Sequence, residues 1–92
     1  MTDLILGQVL TYSGDPFAEG LSAARVIPDG AVAIEGPRIA AVGDAATLRA
    51  RYPQARIHDH GRKLLSAGFI DAHVHYPQTA IIASWGKRLI DW

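Results

Sequence analysis

Two histidines separated by one residue, His73 and His75, are the part of this sequence best suited to chemistry. They close the stretch Phe69-Ile70-Asp71-Ala72-His73-Val74-His75. Read as a strand, it puts Phe69, Asp71, His73 and His75 on one face and the apolar Ile70, Ala72 and Val74 on the other, because successive side chains alternate. Two imidazoles at i and i+2 then reach a single ion, and neutral imidazole suits zinc, iron, nickel and copper. Asp71 lies behind His73 on the same face, where it can orient the ligand. Spacing alone leaves a second reading open, that two histidines fall two apart by chance. The chain holds a comparison in His58 and His60, which have the same spacing. Their neighbours Asp59, Gly61, Arg62 and Lys63 describe a solvated, turn-like setting, that of ordinary surface histidines. The pair at 73 and 75 differs because an apolar strand holds it, and burying histidines without a partner is costly.

Composition narrows what else the chain can do. It has 92 residues, 49% of them apolar, with nine acidic and nine basic side chains. A chain of zero net charge lacks the basic excess that neutralises phosphates, so no nucleic-acid partner is expected. There are no cysteines. A disulfide framework and a thiolate metal site are both excluded, and any transition metal must take histidine and carboxylate ligands. Met1-Thr2-Asp3 opens the chain with an acid rather than a basic leader, and no apolar run approaches a membrane span. The expectation is a cytoplasmic protein with no membrane partner.

The elements that must position the histidines follow from the apolar pattern. Residues 4–12 read as a buried strand ended by Ser13-Gly14-Asp15-Pro16. Residues 17–30 read as irregular, with a second turn at Pro28-Asp29-Gly30. The runs 31–35 and 39–43 flank Gly36-Pro37-Arg38 as a β-hairpin. Asp44 suits a helix N-cap, its carboxylate accepting a free backbone N–H, with a helix over 45–52 that stops at Pro53. A third β region follows near 56–65. A weak helix is expected around 86–92. No repeat or linker interrupts the chain, so the expected division is a small β domain over 1–65 and the start of something else over 66–92.

Residues 68–75, Gly-Phe-Ile-Asp-Ala-His-Val-His, resemble the first barrel strand of the amidohydrolase superfamily. The Gly-Pro-Arg-Ile turn, the short helix, Asp59-x-Gly61 and Lys63-Leu64-Leu65 are similar as well, so the likeness covers nearly the whole chain. The continuation His75-Tyr76-Pro77-Gln78, with Ile82-Ala83-Ser84-Trp85-Gly86 and Leu89-Ile90-Asp91-Trp92, resembles the guanine deaminases within that superfamily. Ala67 is a departure, since proline usually precedes the glycine there.

The resemblance implies an α/β fold: the N-terminal part of a composite β-sandwich over 1–65, then over 66–92 the first strand of a (β/α)8 metal-dependent hydrolase barrel, incomplete in this chain. It implies that His73 and His75 bind Zn2+. It implies that His75, Tyr76, Pro77 and Gln78 line a guanine pocket, with the Gln78 amide donating and accepting along the purine edge. The implied reaction converts guanine and water to xanthine and ammonia, in a homodimer. The alternatives are a deaminase of this superfamily acting on cytosine, adenine or a triazine, and a non-catalytic β module. A (β/α)8 barrel takes about 250 residues. The chain alone is therefore expected to be inactive, to hold no proton-shuttling residue, and to expose strand edges.

Overall fold

The computed structural model describes residues 1–74. Its elements run β1 (Thr2–Tyr12), α1 (Pro16–Glu19), a single 3-10 turn (Leu21–Ala23), β2 (Ala24–Glu35), β3 (Arg38–Asp44), α2 (Ala45–Arg51) and β4 (Arg56–Leu65). The strands form one mixed sheet in the order β3-β2-β1-β4. β2 is antiparallel to both β1 and β3, and β4 is parallel to β1. Strands occupy the regions 4–12, 31–35, 39–43 and 56–65 that the apolar pattern marks.

The two faces of the sheet differ. Leu4, Leu6, Ala31 and Ala33 are buried on one face under Leu48 of α2, with Ala41, Ala45, Tyr52 and Ala55 packed around them. The alanines on β2 and β3 are what let a short helix lie close to the sheet, since larger side chains there would hold it off. The opposite face carries Ile5, Val9, Val32, Ile34, Ile39 and Val42. With Leu65 and residues 66–70 it forms an apolar trough of about 680 Å³.

Local chemistry explains the connections. Gly36 and Pro37 join β2 to β3, and Gly36 has φ 58°. A two-residue hairpin with glycine first and proline second fits a type II′ turn, because the proline ring forbids the second positive φ of type I′. Asp15 caps α1, its Oδ1 accepting from the Phe17 N–H at 2.9 Å. The first helical position there is Pro16, whose missing N–H costs nothing at that site. Asp44 takes the N-cap position of α2 with extended backbone, but its side chain accepts no hydrogen bond from the helix. That helix ends at Arg51, one residue short of the expected bound, with Tyr52 as its C-cap.

Three expectations are corrected. Residues 17–30 are not irregular: α1, the 3-10 turn and the first half of β2 occupy them. Pro28-Asp29-Gly30 is not a chain reversal. It lies inside β2 at a register shift, where Gly7 pairs with Gly30 and Val9 with Ile27. A bulge tolerates proline within a sheet because the extra residues leave the ladder, so no N–H is missed. Finally, residues 66–74 form no strand, and Phe69 and Ile70 are fully exposed. A strand needs a neighbour to complete its ladder, and among the described residues no strand pairs with this segment. β3 carries a further irregularity: Ala33 pairs with Ala41 and Ile34 with Ile39, which leaves Ala40 without a Cα partner on β2. No helix among the described residues is long and apolar enough to cross a membrane.

Candidate functional site

Of the expected metal pair, His73 lies within the described residues, and His75, Tyr76, Pro77 and Gln78 lie outside them. β4 delivers the chain to the segment 66–74, and Ala72 and His73 form a bend in it. Asp71 shapes that bend. Its Oδ1 accepts the backbone N–H of His73 at 3.0 Å. This is an Asx-type turn, in which a short carboxylate takes the place of a backbone carbonyl. The aspartate thus fixes the main chain of His73. His73 is also exposed. The expectation that burial in an apolar strand marks it as a ligand is therefore not met, and the case for the metal rests on residue type and spacing. Among the described residues no group of three or more His, Cys, Asp or Glu is placed to hold an ion.

The comparison pair behaves differently from the expectation in one respect. His58 and His60 are exposed, as surface histidines should be, but they sit in β4 rather than in a turn. The parallel register pairs Asp3 with Arg56. As a result, Asp3 Oδ1 accepts from Arg56 Nε at 2.6 Å and lies 2.9 Å from His58 Nε2. The Arg56 bond, then the His58 bond, lowers the Asp3 pKa to about 2, and Asp3 in turn raises that of Arg56. Sequence reasoning missed this trio. Its members stand 53 and 55 positions from Asp3, and nothing local signals a parallel pairing across that distance. It ties the start of β1 to the start of β4, the strand that leads toward His73.

Residues 30–55 match a family model described as an imidazolonepropionase-like composite domain of bacteria. The chain is 33% identical to the guanine deaminase of Escherichia coli over 84 residues, 90% of this chain and 19% of that protein. It is 39% identical over 89 residues to a Deinococcus radiodurans protein named "Probable guanine deaminase", covering 91% of this chain and 20% of that one. It is also 39% identical over 91 residues to a 5-methylthioadenosine/S-adenosylhomocysteine deaminase of Nitratidesulfovibrio vulgaris, covering 98% and 19%. Its fold superposes on the crystal structure of guanine deaminase from Bradyrhizobium japonicum with a TM-score of 0.79 and 29% identity, over 97% of this chain and 20% of that chain.

A mixed sheet with one helix on its face, running into an Asp-x-His segment, resembles part of the composite domain of the amidohydrolases. Within that class the chain is similar in sequence and fold to part of the guanine deaminases. It spans about one fifth of the length of the curated relatives it matches.

Proposed function

We propose that the full-length protein carrying this sequence is a zinc-dependent guanine deaminase that converts guanine and water to xanthine and ammonia. The observation that supports this reading best is the likeness to guanine deaminases in both sequence and fold over nearly the whole chain.

In this reading the chain divides near residue 65. The sheet forms part of a composite β domain, and residues 66–92 open a (β/α)8 barrel. His73 and His75 supply two of the three protein ligands that a catalytic zinc takes. The donor set fits that ion: imidazole nitrogen is present, thiolate is absent from the sequence, and the Asx turn at Asp71 holds the main chain of His73 in one conformation. When bound, zinc lowers the pKa of water so that hydroxide is available near neutral pH. This chain's own contribution is to hold the ligands and to bind the base. His75, Tyr76, Pro77 and Gln78 line the purine, and the Gln78 amide matches both donors and acceptors on its edge. The groups that move protons come from outside these 92 residues, so the chain alone does not turn over. The complete enzyme works in the cytoplasm as a homodimer.

The test is turnover by the purified full-length protein. Guanine should be converted to xanthine, and chelation should abolish the activity while added zinc restores it. The similarity to a 5-methylthioadenosine/S-adenosylhomocysteine deaminase favours a second reading, a deaminase of adenine-containing thioethers. Preference for those nucleosides, or for cytosine, adenine or a triazine, over guanine would overturn the first. Xanthine formation by the 92-residue chain would overturn the assignment of proton transfer to residues outside it.

A further inference from the structure

β4 does not run evenly beside β1. Leu6 pairs with Asp59 and Gln8 pairs with Leu64, so Gly7 alone faces the stretch His60 to Lys63. Those residues arch across Gly7, and two hydrogen bonds and one glycine conformation hold the arch. Asp59 Oδ1 accepts the Gly61 N–H at 2.8 Å. Gly61 adopts φ 60°, a conformation L side chains resist. Gln8 Nε2 donates to the Arg62 carbonyl at 2.9 Å. The floor is equally specific, because a Cβ on Gly7 would come within 2.8 Å of Leu65 Cγ and 2.9 Å of the Lys63 carbonyl. Beyond the arch Leu64 and Leu65 rejoin β1 opposite Gln8 and Val9, and the chain then leaves the sheet toward Asp71 and His73.

We propose that this arch is a register lock for the metal-bearing segment, with Gln8, Asp59 and Gly61 acting as positioning residues for His73. The inference rests on the deaminase reading and adds residues to it. A strand advances roughly 3.3 Å per residue and turns over with each step. If the arch gave up one residue, Leu65 would swing to the other face and Ser66, where the chain leaves β4, would start about that distance further along. Zinc tolerates only about ±0.2 Å in its ligand distances, so the arch decides whether His73 arrives where the other ligands wait.

The experiment uses the full-length protein and three variants. Gly61→Val places a branched side chain at the positive φ, Gly61→Asn is the conservative replacement that tolerates it, and Gln8→Ala removes the amide donor. Zinc affinity is measured by chelator competition on folded protein, beside the melting temperature. Gly61→Val and Gln8→Ala should bind zinc roughly tenfold more weakly, and Gly61→Asn should restore most of the affinity. Melting temperatures that fall while zinc affinity stays at the parental value in every variant would overturn the proposal, because the arch would then serve stability alone. If Gly61→Val does not fold, Gln8→Ala decides, since it releases the arch by removing one hydrogen bond without adding backbone strain. A parental protein that binds no zinc overturns the deaminase reading itself, an outcome distinct from zinc bound equally well by parent and variants.

Discussion

Replacing Leu48 by alanine should cost this domain about 3 kcal/mol, of which roughly 2.4 is the transfer of three buried carbons at ~0.8 each. Leu48 is 3% exposed and seals α2 onto Leu4, Leu6, Ala31 and Ala33. The remainder is the cavity. Its walls are β1 and β2, held by an antiparallel ladder, and Ala31 and Ala33 have no side-chain length with which to fill it. Collapse onto the lost volume is therefore poor, and the cost should sit above the bare transfer value. Leu64→Ala is the control, because Leu64 is 61% exposed and surface changes stay within about 0.5 kcal/mol. Urea unfolding followed by circular dichroism measures both. With a slope of ~1–3 kcal/mol per molar for a domain of this size, Leu48→Ala should move the midpoint by about 1 M or more at unchanged slope. Equal midpoints for the two variants would refute the claim that the helix closes this face of the sheet.

Other consequences are open to measurement. The Asp3 carboxyl, held at a pKa of about 2 by Arg56 and then His58, favours folding above the ordinary carboxylate range and loses that contribution as pH falls toward 2. A carboxyl titration followed by NMR should place its midpoint near that value, and Arg56→Gln should return it toward the ordinary range. Gly36→Ala puts a Cβ on a residue at φ 58° and should cost about 1–2 kcal/mol, readable as a lower melting temperature, with Gly36→Asn milder. His73→Ala in the full-length protein should abolish stoichiometric zinc, measured by atomic emission, without lowering the amount of folded protein. Gly7→Ala should destabilise by about 1–3 kcal/mol, because the Lys63 carbonyl that its Cβ meets is main chain and cannot swing away.

The parts of the fold legible in the sequence are those set by neighbours along the chain. The hairpin at Gly36-Pro37 was legible because the turn demands those residue types, and α2 because Pro53 ends it. Long-range pairing was not legible. Pro28-Asp29-Gly30 carries the composition of a turn, but pairing with β1 across the sheet absorbs it as a bulge. The Asp3–Arg56–His58 trio exists only because β1 and β4 run parallel in one particular register. For the candidate site, the sequence offers His73 with Asp71 two positions before it, and His75, Tyr76, Pro77 and Gln78 outside the described residues. The alternation over 69–75 suggests a strand, whereas among the described residues no strand flanks 69–74, and the Asp71 carboxylate accepts a main-chain N–H.

The unpaired Ala40 in β3 has its own consequence. β3 borders the sheet among the described residues, and a flat border invites another polypeptide to extend the ladder. An extra residue in the middle of a seven-residue strand breaks the even spacing of outward N–H and C=O groups and twists the ribbon there. A stranger arriving at this margin can match the hydrogen-bonding rhythm on one side of Ala40 but falls out of step on the other. The domain thereby resists seeding fibres from that rim, even while its apolar trough stays open on the neighbouring surface.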